Sequence, residues 1–187
     1  MSLLSDYDIN KALFDGKLVV DPYPAPSAVG SASLDLYLGT EFAEYPPGVG
    51  VIDPESPPPM YKERLVAKDG FLLKPQAFAL GHTRETVTLT PGLAGFVDGR
   101  SSHARIGLLV HCTAGYIDPG FTGQLTLEFF NAAPRPILLR PGVKICQLLL
   151  HRVSSTARRP YGHPDLGSLY QNSVGVVSSR YGQMKGA

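Results

Sequence analysis

Cysteine is scarce in this chain. Two occur in 187 residues, Cys112 and Cys146, in separate apolar segments. That argues against a disulfide-stapled secreted scaffold and suits a reducing, cytoplasmic setting. Long apolar runs are also missing: no stretch of about eighteen such residues occurs, so no membrane-spanning helix is expected. The opening Met1-Ser2-Leu3-Leu4-Ser5-Asp6 has no basic segment leading into an apolar one, so no signal peptide is read. The five histidines, His82, His103, His111, His151 and His163, are scattered without Cys-x-x-Cys or His-x-Glu pairs, which speaks against zinc. Excess charge is missing too. With 17 Lys and Arg against 16 Asp and Glu, the net charge is +1, and no field for duplex nucleic acid is present. A local arginine cluster can still hold a small anion.

What is present fits one ordinary domain with short terminal additions, since 43% of residues are hydrophobic and 18% charged. A short helix is expected first, with Ser5 as cap, Asp6 and Asp8 in its first turn, Ile9 and Leu13 on one face, and Gly16 ending it. An extended Pro-rich stretch, 21–26, follows, and then a strand over 33–39 with period-two alternation. Further proline clusters predict a surface loop from Tyr45 to Met60. From Leu65 onward short β-type runs recur at 70–73, 78–82, 85–89, 94–98, 108–113, 123–131, 137–139 and 144–153. Pro-Gly pairs at 91, 119 and 141 separate several of them. Many short strands with little helix predict a mainly β domain, a sandwich or distorted jelly-roll barrel. From Ser154 the chain turns polar and Gly-rich, a tail draped over something else or disordered.

The densest chemistry lies between Asp98 and Asn131. Gly99 allows a tight turn, and Arg100, Ser101, Ser102 and Arg105 follow. Guanidinium forks and hydroxyls suit a polyanion at a sheet edge, or equally a polar turn with surface ion pairs. Asp118 stands beside the Pro119-Gly120 turn, where an aspartate can simply bind turn amides. In the run Gln124 to Asn131, strand periodicity puts Gln124, Thr126, Glu128 and Phe130 on one face and Leu125, Leu127 and Phe129 on the other. A carboxylate among such neighbours gains proton affinity unless a cation compensates. Glu128 therefore reads either as a general acid–base or as a structural partner of an arginine.

Taken together, these runs resemble the dCTP deaminase/dUTPase superfamily. Gly99-Arg100-Ser101-Ser102 to Arg105-Ile106-Gly107 is similar to its G-R-S-S-x-x-R-x-G element, and Ala114-Gly115-Tyr116-Ile117-Asp118 with Gly120-Phe121 to its A-G-x-I-D-x-G-[FW] element. Leu127-Glu128 falls at the catalytic spacing. Pro141-Gly142 with Ile145-Cys146-Gln147-Leu148, and Ser33-Leu34-Asp35-Leu36, resemble two further family strands. The match runs in order from about Ser31 to Tyr170 and points to the dCTP deaminase branch, because the Gly-rich C-terminal motif of trimeric dUTPases is not recognisable.

The resemblance implies a dUTPase-like barrel over 1–153, with its N-terminal helix, and a tail over 154–187 that closes the active site. It implies that Glu128 takes a proton from the water attacking cytosine C4 and returns it to departing ammonia, a contribution of roughly 10²–10⁴-fold. Arg105 would orient Glu128, while Ser101 and the Ala114 carbonyl hold the water. Asp118 would take the deoxyribose 3′-hydroxyl. Arg100 and Ser102 would bind phosphates carrying Mg²⁺, with Tyr161, Tyr170 and Gln171 contributing substrate contacts from the tail. No zinc and no protein-held metal are implied, so the deamination is metal-free at the attacked carbon. A homotrimer with sites between subunits is implied, with no nucleic-acid or membrane partner. Similar proteins read Lys-Tyr-Gln-x-Gln where this chain has Leu169-Tyr170-Gln171-Asn172-Ser173, a departure that removes a cation. The expected reaction is dCTP to dUTP and ammonia. The alternatives are a bifunctional enzyme continuing to dUMP and diphosphate, which Gly115 favours, a plain dUTPase using Asp118, or a non-catalytic nucleotide-binding regulator.

Overall fold

The computed structural model describes residues 2–48, 50–64 and 70–184. The expected onset of β structure at Leu65 and the last three tail residues lie outside these. The strands are β1 (Ser2–Leu3), β2 (Leu18–Asp21), β3 (Leu34–Tyr37), β4 (Glu41–Glu44), β5 (Tyr61–Arg64), β6 (Phe71–Leu73) and β7 (Phe78–Leu89). They continue as β8 (Leu93–Gly99), β9 (Leu108–Val110), β10 (Tyr116–Ile117), β11 (Thr122–Asn131), β12 (Ile137–Leu139) and β13 (Lys144–Arg152). Two α-helices, α1 (Asp6–Phe14) and α2 (Ser101–Ala104), interrupt them. α1 forms as its sequence dictates: the Ser5 hydroxyl accepts from the Asp8 amide at 3.4 Å, and Ile9 and Leu13 are buried.

Two antiparallel sheets carry the fold. One runs β1-β13-β8-β10 with β3 also on β13; the other runs β5-β4-β7-β11-β9 with β2 also on β7. Their inner residues share a single core, with Leu34, Leu36, Leu148 and Leu150 from the first sheet and Val87, Leu89, Leu127 and Phe129 from the second. A bridge between Leu38 and Thr83 joins the sheets on one side. Among the described residues the hydrogen-bonded path does not close into a ring, so the domain is an open, distorted jelly roll.

Several local expectations change. The runs 78–82 and 85–89 are one strand, β7. Buried Thr83 does not interrupt it, because its hydroxyl donates to the Glu85 carbonyl (2.8 Å) and accepts from the Leu125 amide (3.0 Å). The irregularity falls on the partner instead, as a register shift between Gln124 and Thr126 of β11. β9 stops at Val110, short of the expected Thr113, because His111 takes φ +64° and turns the chain out of the ladder.

The tail is draped over the barrel. The Asn172 amide donates to the Thr122 carbonyl (2.7 Å) and the Gln124 amide to the Ser173 carbonyl (2.8 Å), a parallel bridge between Ser173 and Gly123 on the edge of β11 that β7 leaves open. Val176, 1% exposed, joins Ala43 and Leu80 in a small apolar cluster against Met60. Gly123 makes the approach possible: a Cβ there would sit 2.9 Å from the Ser173 nitrogen.

Candidate active site

β11 alternates as predicted. Leu127 and Phe129 are fully buried, which turns Glu128 to the opposite face, in register with Leu80 of β7. The loop after β9 then closes over it. His111 extends the ladder by donating its amide to the Glu128 carbonyl (2.8 Å), and its positive φ swings Thr113 back across the strand. Thr113 grips the carboxylate at Oε2 through its amide (3.2 Å) and hydroxyl (3.3 Å).

Glu128 shares a cavity of about 520 Å³ with Ala114, Asp118, Tyr161 and Tyr170. Asp118 follows β10, whose pairing with β8 buries Ile117 and leaves the next side chain facing the cavity. Its carbonyl accepts from Phe121 (3.2 Å) in the Pro-Gly turn. Among the described residues its carboxylate receives no hydrogen bond, and burial pushes its pKa above the usual carboxylate range. The Tyr116 and Tyr161 phenols are also pushed up, by burial first, with the Asp118 charge adding. Gly115 lies against β8: its carbonyl accepts from the Val97 amide at 2.8 Å, and a Cβ would come within 2.8 Å of the Val97 carbonyl oxygen.

The tail supplies the rest of the wall through Tyr161, Tyr170, Ser173, Val177 and Ser179, and Tyr45 and Met60 flank it from either end of the Pro-rich loop. The Tyr170 amide donates to the Tyr161 hydroxyl (3.1 Å). Gln171 is used as a clasp: its Oε1 accepts from the Thr122 amide and its Nε2 donates to the Gly120 carbonyl, both at 3.0 Å.

One chain therefore brings together Glu128, Ala114, Asp118, Tyr161 and Tyr170. It does not bring the other expected residues to the same wall. Ser101, Ser102 and Arg105 are exposed on and just after α2, and Arg100 pairs with Asp35, whose second oxygen meets Lys144 Nζ at 3.0 Å. Thr113, the residue that grips Glu128 here, was not singled out from sequence. Its hydroxyl beside Ala114-Gly115 was a legible signal, whereas nothing in the Pro-rich segment marked Tyr45 or Met60. Among the described residues no three or more His, Cys, Asp or Glu side chains converge to hold a metal, and no helix is long and apolar enough to cross a membrane.

A family model described as dCTP deaminase-like matches residues 3–153. A dCTP deaminase, dUMP-forming, of Dictyoglomus thermophilum is 44% identical over 183 residues, covering 95% of this chain and 94% of that protein. A protein of the same name from Acidothermus cellulolyticus is 45% identical over 186 residues, covering 95% and 94%. A Rhodospirillum rubrum protein named dCTP deaminase is 39% identical over 188 residues, covering 95% of each chain. The solved 2′-deoxycytidine 5′-triphosphate deaminase of Agrobacterium tumefaciens superposes with a TM-score of 0.61 at 21% identity, over 81% of this chain and 48% of that one, a likeness of fold. The chain belongs to the dCTP deaminase-like family.

Proposed function

We propose that this protein deaminates dCTP and, in the same cavity, hydrolyses the resulting dUTP to dUMP and diphosphate. The observation that carries the reading is the pairing in one nucleotide-sized cavity of a carboxylate gripped by Thr113, Glu128, with a second carboxylate, Asp118, that receives no hydrogen bond among the described residues. Glu128 takes a proton from water as its oxygen bonds to cytosine C4, and returns it to the amino nitrogen as the C4–N bond breaks and ammonia leaves. Asp118 accepts a hydrogen bond from the 3′-hydroxyl of the sugar. A second water, attacking the α-phosphorus, then releases diphosphate. Gly115 and the dUMP-forming names of the relatives favour this second step over release of dUTP. Mg²⁺ would enter with the substrate, carried by its phosphates, and would offset part of their charge.

Among the described residues the cavity wall holds no lysine or arginine, while Ser101, Ser102 and Arg105 stand exposed elsewhere on the same chain. The reading therefore places those residues in the cavity of a neighbouring copy, in a cyclic trimer whose sites lie between subunits. There Arg105 orients Glu128, Ser101 and the Ala114 carbonyl hold the water, and Arg100 and Ser102 meet phosphate. The two free thiols suit a reducing compartment.

Incubation with dCTP and Mg²⁺ tests the reading. Ammonia, dUMP and diphosphate should form in equal amounts. Accumulating dUTP would leave only the deaminase, and turnover of dUTP without dCTP would overturn the assignment. In Glu128→Gln, nucleotide binding should persist while ammonia release falls by roughly 10²–10⁴-fold; surviving activity would remove Glu128 from its role.

A further inference from the structure

The charge balance at the cavity mouth assigns a task to a tail residue that the chemistry above leaves idle. Among the described residues the wall carries two carboxylates, Asp118 and Glu128, one histidine, and no lysine or arginine. A nucleoside triphosphate placed there meets like charge unless cations lie at the mouth. Lys62 and Arg180 follow wall residues closely in sequence, Met60 and Ser179. Lys62 is committed, with Nζ 2.6 Å from the Val176 carbonyl and 3.5 Å from Glu41. Arg180 is not. Its Nη1 donates to the Leu169 carbonyl (2.6 Å), its amide donates to the Tyr170 hydroxyl (3.1 Å), and its guanidinium carbon lies 6.0 Å from the Tyr170 ring centroid. Among the described residues no carboxylate pairs with it. Tyr170 and Ser179, which flank it in contact and in sequence, both line the cavity.

We propose that Arg180 binds the outer phosphates of the substrate and so selects triphosphate over monophosphate. A guanidinium carries five N–H donors in a plane, and the Leu169 carbonyl occupies one nitrogen, leaving the rest of the fork for phosphate oxygens. The Leu169 bond and the Tyr170 ring hold that fork in one orientation before substrate arrives, which reduces the ordering cost of binding. Tyr170, near whose ring the guanidinium lies, is itself part of the cavity wall. The inference rests on the dCTP reading and adds the phosphate-count preference to it.

The test uses full-length protein carrying Glu128→Gln, so that binding is read without turnover. Affinities for dCTP and dCMP, each with Mg²⁺, are measured by calorimetry with and without Arg180→Met or Arg180→Lys. Arg180→Met should weaken dCTP binding by about ten- to a hundredfold while changing dCMP binding less than about twofold, and Arg180→Lys should fall between. Equal loss for both nucleotides would make Arg180 a tail anchor only, and no loss for either would make it a bystander; both overturn the proposal. The outcome is separable from the function itself: wild-type protein that releases ammonia from dCTP while Arg180→Met keeps full dCTP affinity sinks the inference alone. Wild type that never releases ammonia sinks the deaminase reading instead.

Discussion

Two carboxylates that line one cavity are treated differently by their surroundings. Glu128 receives two hydrogen bonds from Thr113, whereas Asp118 receives none among the described residues and is raised in pKa by burial. The raised value has a stability consequence whose sign is fixed by linkage. Above the reference value of 3.8 the folded chain holds the Asp118 proton more tightly than the unfolded chain does, so stability falls as pH rises through the window up to the folded pKa. The cost then persists at neutral pH. Asp118→Asn removes it: the empty variant should melt at or above the wild-type temperature near pH 7, with an advantage that shrinks toward about pH 4 as the wild-type carboxyl protonates. Thermal melts across that range check it, and a difference independent of pH would contradict the burial effect. The same variant should bind nucleotide more weakly, since a neutral amide accepts the sugar hydroxyl less strongly. At this scale much of the site was readable. Period-two alternation alone placed Glu128 opposite Leu127 and Phe129, and the Pro-Gly turn marked Asp118. Thr113 escaped because its reach to Glu128 depends on the positive φ of His111, and Arg180 because its contacts close across the tail, from Leu169 and Tyr170.

Elements were legible where periodicity was unbroken and illegible where proline or a buried polar residue interrupted it. β11, β12 and β13 fall within a residue of expectation. β4 and β5 were missed because the proline-rich segment between them dominates their windows, and β7 was split because Thr83 looks like a breaker until its hydroxyl is seen to be satisfied. The tail's docking was legible in outline, from its composition and from the family resemblance, but its specific contacts were not, since a Gly-rich segment carries no pattern. Gly175 donates to Gln124 Oε1 (2.7 Å), Val177 to Thr126 Oγ1 (3.2 Å), and Val176 is buried against Ala43 and Leu80. Gly123→Ala should therefore loosen the tail selectively, because its Cβ would collide with the Ser173 backbone at a cost of about 1–3 kcal/mol. Hydrogen exchange at Asn172, Gly175 and Val177 should quicken while the β7–β11 amides remain protected. Equal quickening across both would show that tail and barrel open as one unit.

At the scale of the whole molecule, the proposed reading gives the chain two incomplete halves of a site. Among the described residues Glu128, Asp118 and Ala114 sit in a cavity whose wall has no arginine, and Arg105, Ser101 and Ser102 sit exposed outside it. Sequence motifs listed all of these as one set, because a motif records which residues act together and not which copy provides them. A shared site between copies makes a demand that a self-contained monomer cannot meet. Glu128→Gln and Arg105→Ala should each abolish ammonia release when assembled alone. Unfolded together at equal concentration and refolded, they should regain activity, because some sites then combine an intact Glu128 from one chain with an intact Arg105 from its neighbour. Random assembly of a cyclic trimer restores about one site in four, so the mixture should approach a quarter of wild-type turnover per subunit. Light scattering on the same sample should report a trimer mass. A mixture as inactive as its components, with both variants folded and trimeric, would place Arg105 and Glu128 in the same chain's site and require the loop after α2 to move to the cavity.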